Sequence, residues 1–132
     1  MFRKINIPER EIQPGITLDA EKGIFRIVGR ACPEDAFTFY APVIEWLEDY
    51  VENPNDETIF EFYLTYYNTA SSKVILRIMQ ILEKIQEKDK KVEIHWYHHP
   101  DDEDMMIAGE DYSEIVDITF KVKESTDDFL HV

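Results

Sequence analysis

The chain has 132 residues, 44% of them hydrophobic by a broad count, with eight Phe, seven Tyr and two Trp. That length and composition suit one folded domain with one core, so the expectation is a single domain over residues 1–132. The 28 Asp and Glu against 14 Lys and Arg give a net charge of −14, which excludes backbone-driven nucleic-acid binding and docking on an anionic membrane.

The lead-in, residues 1–15, is weakly patterned and polar, with Ile5 and Ile7 as a candidate short edge strand. It has no apolar signal-peptide core, and no run approaches the roughly 18–20 apolar residues of a membrane span. Cys32 is the single cysteine, so no disulfide can form within the chain. Together these features lead us to expect a cytoplasmic protein. Cys32 has no activating neighbour in sequence and is expected to be a small buried hydrophobe.

Ile16-Thr17-Leu18 and Ile24 to Gly29 form the arms of a hairpin, joined by Asp19-Ala20-Glu21-Lys22-Gly23. Pro33-Glu34-Asp35 opens a helix whose apolar positions run from Phe39 and Tyr40 to Tyr50 and Val51. Pro42 should kink that helix or divide its first turn from the rest. Asn53-Pro54-Asn55-Asp56 ends it.

Thr58 to Tyr66 is the strongest strand signal. Alternation puts Phe60, Phe62, Leu64 and Tyr66 on one face, and Ile59, Glu61, Tyr63, Thr65 and Tyr67 on the other. Val74, Ile75, Ile78, Met79, Leu82 and Ile85 then trace an amphipathic helix of about five turns. Val92 to Tyr97 alternates as a strand. Asp101 to Asp104 starts a third helix, with Met105, Ala108, Tyr112 and Ile115 facing inward, and Ile118 to Val122 is a last strand. Residues 124–132 read as a frayed polar tail. The predicted fold is a layered α/β domain with a mainly parallel, four- to five-stranded sheet and about three main helices.

Glycine is too scarce for a long glycine-rich cofactor loop, with four in the chain. The run Asp101-Asp102-Glu103-Asp104 lacks calcium-loop spacing, and helix capping explains its acids more simply. His95, His98 and His99 carry no zinc-site spacing. No metal or cofactor is therefore expected. Glu61 interrupts an apolar strand and must find partners. A small enzyme using Glu61 with His95 or a tyrosine is one reading. A salt-bridged residue, or part of a docking face with Tyr63, Tyr66 and Tyr67, is the stronger one.

The stretch YYNTASSK, Tyr66 to Lys73, joins strand to helix. Asn68 or Thr69 can cap the helix, yet the segment also supplies Ser71 and Ser72. A phosphoryl group is well tolerated at such a helix start, with Lys73 as a countercharge. There is no P-loop and no hydrolase elbow.

With PEDAFTFYAPVIEWLEDY, FEFYLTYYNTASSK and MMIAGEDYSEI, the chain resembles the SiaC family of bacterial regulatory phosphoproteins, whose fold is similar to the STAS domain of anti-anti-sigma factors. The resemblance spans most of residues 5–122, and its most specific element is the strand–NTxSxK–helix join. It implies a non-catalytic signalling protein whose phosphoacceptor is Thr69, with Asn68, Ser71, Ser72 and Lys73 around it. It also implies a cognate serine/threonine kinase, a metal-dependent phosphatase, and an output protein such as a diguanylate cyclase, bound in the unphosphorylated state and acting on cyclic di-GMP and biofilm formation. Ala70 departs from a pattern that could carry one more hydroxyl. A constitutive adaptor and an anti-anti-sigma-like transcriptional regulator are the alternatives.

Overall fold

The computed structural model describes residues 4–126. Six strands form one sheet in the order β1-β2-β3-β4-β5-β6: β1 (Ile5–Ile7), β2 (Gly15–Asp19), β3 (Ile24–Ala31), β4 (Glu57–Tyr67), β5 (Lys91–His98) and β6 (Thr119–Glu124). The first three pair antiparallel, β2 and β3 through the short turn at residues 20–23. The pairs from β3 to β6 are all parallel, and each is bridged by a helix: α1 (Ala36–Tyr50), α2 (Thr69–Glu83) and α3 (Glu103–Ile115). The short strand at Ile5 to Ile7 takes the sheet to six strands, one beyond the expected upper count.

Every crossover steps one strand in the same direction, and right-handed crossovers of this kind place their helices on one face. The core follows that rule. Val43 and Leu47 of α1, Ile75 and Ile78 of α2, and Met105 and Tyr112 of α3 join one cluster with Phe25, Ile27, Phe60, Phe62, Ile94 and Trp96 of the sheet. Aromatic rings dominate it. Trp46 stacks on Tyr50 at 5.2 Å, and Phe62 meets Trp96 at 5.3 Å.

One expectation narrows and two change. Helix α1 runs through Pro42 without dividing, because the burial of Tyr40, Val43, Trp46, Leu47 and Tyr50 holds both sides of the proline on the core. Helix α2 is shorter than its stripe implies. The chain tightens into a 3-10 turn at Lys84–Lys88, which keeps Ile85 buried, and ends at Asp89 in a left-handed conformation. Ile115 is 61% exposed. The buried stripe of α3 passes through Met105, Gly109 and Tyr112 to Val116, so Ile115 falls off its edge.

At the other end of the chain, Glu124 is still in β6 and the Ser125 N–H donates to the His98 carbonyl at 2.8 Å. The rest of the expected tail, residues 127–132, lies outside the described residues.

Candidate functional site

The candidate site is the join between β4 and α2. Strand β4 alternates as the sequence predicts as far as Leu64. There the pairing with β3 slips: Gly29 faces Leu64, but Arg30 faces Tyr66. Thr65 is the extra residue of a bulge, and an inserted residue reverses the side to which everything after it points. Gly29, opposite the slip, has φ of 100°, a conformation open to glycine. The two tyrosines are consequently exchanged. Tyr67 packs on the core beside Trp96 and Tyr112, with ring centroids 6.3 and 6.4 Å away. Tyr66 is 44% exposed, with the Arg30 guanidinium 4.5 Å from its ring centroid.

Asn68 caps α2. Its Oδ1 accepts from the Ser71 N–H at 2.8 Å, and its own N–H donates to the Ala31 carbonyl at 3.1 Å. Its Nδ2 lies 3.7 Å from the Sγ of Cys32, which is half-buried rather than sealed in the core. The sequence left the cap open between Asn68 and Thr69, and the geometry assigns it to Asn68. Thr69 then begins the helix. It is exposed, and its hydroxyl has no hydrogen-bond partner among the described residues. The N–H groups of Thr69 and Ala70 have no intrahelical acceptor, as at any helix start.

The other hydroxyls are occupied. Ser71 is fully buried, with its Oγ 2.9 Å from the Tyr40 hydroxyl of α1. Burial raises the Tyr40 phenol above its ordinary range, against the opposing effect of that hydrogen bond. The Ser72 hydroxyl donates to the Thr69 carbonyl at 2.6 Å, and the Ser72 carbonyl accepts from Tyr112 of α3 at 2.9 Å. Thus α1 and α3 both brace the first turn of α2. Lys73, one turn beyond Thr69 on the same side of the helix, is exposed.

Glu61 and Tyr63 are elsewhere, on the sheet face opposite the helices. Glu61 accepts from Arg26 at 3.3 Å and from the Tyr63 hydroxyl at 3.1 Å. Tyr63 stacks on Tyr97 at 4.2 Å, and burial leads the causes that push its phenol far above its ordinary range. The register sets Glu61 beside His95, but His95 donates from Nε2 to Glu93 at 2.8 Å and accepts at Nδ1 from Lys123 at 3.3 Å. Glu61 and His95 therefore do not form the pair that a small enzyme would need. The four candidate partner-binding residues do not form one patch either, since Tyr67 points into the core.

Asp102 caps α3 by accepting from the Met105 N–H at 3.0 Å, as the capping reading of the acidic run expects. Among the described residues, no group of three or more His, Cys, Asp or Glu side chains is placed to hold a metal, and no helix is long and apolar enough to cross a membrane.

Sequence reasoning missed Tyr40, Tyr112, Arg30 and Phe37. Phe37, in the first turn of α1, is 84% exposed. It stands at the end of an apolar groove of about 440 Å³ between α1 and α2, with Ala41, Ile44 and Val74 along it and Lys73 at its edge. Strand register brings Arg30 opposite Tyr66, and helix packing brings Tyr40 and Tyr112 to the site; neither is visible in a local stretch of sequence.

A model of the SiaC family of regulatory phosphoproteins matches residues 7–125. An uncharacterized protein of Pseudomonas aeruginosa strain UCBPP-PA14 is 24% identical over 119 residues, which cover 90% of this chain and 94% of that protein. Among solved structures, SiaC of Pseudomonas aeruginosa superposes with a TM-score of 0.83 at 22% identity, covering 94% of this chain and all of that one. The SiaC structure described as the activator of the diguanylate cyclase SiaD, in complex with it, gives a TM-score of 0.86 at 23% identity, covering 92% of this chain and 99% of that one.

Proposed function

Because this chain belongs to the SiaC family of regulatory phosphoproteins, we propose that it is a binding protein switched by phosphate on Thr69. Unphosphorylated, it docks an output protein, of which a diguanylate cyclase is the leading candidate, given that a relative of the same fold is described as the activator of one. A serine/threonine kinase adds the phosphate, and a metal-dependent phosphatase removes it.

One observation carries this reading. Asn68 has taken over the cap, Ser71 is sealed against Tyr40, and Ser72 bonds back to Thr69, so the exposed Thr69 hydroxyl is the one in this segment that is not already engaged. Phosphorylation adds about −1.5 to −2 of charge beside free N–H groups that tolerate it. The helix end keeps its shape while a partner packed over Thr69 meets a bulky charge that it must desolvate.

The test compares the protein before and after treatment with its cognate kinase, by mass spectrometry and by binding to the host's diguanylate cyclases. Phosphate on Thr69 with loss of cyclase binding is the expected result. A Thr69→Ala protein that accepts phosphate at the same rate removes the site assignment. Binding that ignores the phosphate makes the protein a constitutive adaptor, and retention of a sigma-factor regulator instead moves it to transcriptional control.

A further inference from the structure

The groove between α1 and α2 is lined by Lys73, one helical turn beyond Thr69, and has its own chemistry. Its apolar floor includes Ile44 and Val74, and Phe37 stands in water at its mouth. An aromatic ring left 84% exposed next to an apolar channel is the kind of anchor that protein partners cover. The walls differ in charge. Helix α1 contains no Lys or Arg, and its Glu45 lines the groove with no cation in ion-pair range among the described residues. Helix α2 contributes Lys73, which likewise has no anion in range. Farther along, Arg77 and Glu48 bridge the two walls at 3.1 Å and neutralise each other.

An apolar channel between a carboxylate wall and an ammonium wall specifies its occupant. We propose that it receives an amphipathic helix of the output protein, with an apolar ridge on Phe37, Ile44 and Val74, a Lys or Arg on the flank over Glu45, and an Asp or Glu on the flank over Lys73. This is the helix-in-groove mode of recognition, with flank charges fixing orientation. It rests on the reading that Thr69 phosphate controls a protein partner, and it explains how. Thr69 and Lys73 are one turn apart, so a phosphate claims the Lys73 ammonium and repels the carboxylate that would have met it. The apolar floor is untouched.

Three helical peptides with one shared leucine ridge test this. One carries Lys on one flank and Glu on the other, one carries Lys on both, and one carries Glu on both. Binding is followed by nuclear magnetic resonance of methyl-labelled protein. The expected result is shifts at Ile44 and Val74, with the mixed peptide bound about tenfold tighter than either single-sign peptide. Phe37→Asp, at a position too exposed to threaten the fold, abolishes that binding, and Lys73→Glu weakens it by about tenfold. If simple attraction to the net charge of −14 governs binding, the all-Lys peptide wins and the proposal falls. Shifts confined to another surface overturn it too.

The two readings fail separately. If phosphate on Thr69 releases the cyclase but Phe37→Asp holds it like the unaltered protein, the groove is wrong and the switch stands. If the mixed peptide occupies the groove as proposed but the phosphorylated protein still holds the cyclase, the groove stands and the switch falls.

Discussion

Asn68 and Ser71 are joined by the 2.8 Å bond that caps α2, and this bond leaves the hydroxyl of Thr69, which lies between them, out of the cap. Replacing Asn68 with Ala should cost about 1 kcal/mol of stability. Replacing Thr69 with Ala removes no bond that the fold uses and should stay within about 0.5 kcal/mol. Urea unfolding of the two variants checks this. A Thr69→Ala protein as unstable as Asn68→Ala would mean that Thr69 is the true cap.

The buried pair Tyr40 and Ser71 makes a sharper claim. Removing one hydroxyl strands the other, so Tyr40→Phe or Ser71→Ala alone should each cost about 1–3 kcal/mol. The double variant should cost clearly less than the sum, because neither stranded group remains. Strictly additive losses would show that the two hydroxyls do not support each other.

Alkaline pH should destabilise the protein through its buried phenols. Burial raises Tyr40, Tyr50, Tyr63, Tyr67 and Tyr112 above the ordinary tyrosine range. The unfolded chain releases those protons near pH 10, approximately, while the folded chain still holds them. Above that point the unfolded state binds fewer protons, so stability falls as pH rises; below it the contribution is fully present. Ultraviolet titration alongside thermal unfolding should show tyrosine ionisation and unfolding arriving together. Ionisation of all these phenols in a chain that stays folded would contradict it.

Gly109 lies inside α3 where Trp96 crosses it. A Cβ added there would meet the indole Nε1 at 2.8 Å, and that nitrogen already donates to the Met105 carbonyl at 2.9 Å. Although alanine favours helices, Gly109→Ala should destabilise by about 1–3 kcal/mol, because a core tryptophan must move. Calorimetry would settle the sign, and a stabilised variant would mean that the ring yields freely.

Most of the sheet and the helices were legible because side-chain periodicity is a local property. The alternation of Phe60, Phe62 and Leu64 and the stripe from Ile75 to Leu82 both survive in the structure. Tyr66 and Tyr67 were exchanged because the bulge at Thr65 arises from pairing with β3 around Gly29, which no window on β4 contains. Ile115 was misplaced because the stripe of α3 runs through Gly109, a residue without a side chain to mark it. At the candidate site, the strand-to-helix join and its surplus of hydroxyls were readable. Which hydroxyl is spare was not, since that depends on Tyr40 from another helix and on Asn68 reaching Ser71 first. Phe37 looked like one aromatic among many until its surroundings were known.

The steady order of the six strands carries one last consequence. In sheets that wind both ways, the crossovers diverge at one point, and the gap between them becomes a cleft for nucleotides and other small molecules. Here every crossover advances in the same sense from β3 to β6, so the strands never part company in that way. Their carboxyl ends form a continuous shelf on which the three helices begin side by side. Such an architecture lacks the cleft at which doubly wound sheets seat a nucleotide, and it sets the starts of all three helices, Thr69 among them, along one edge of the domain.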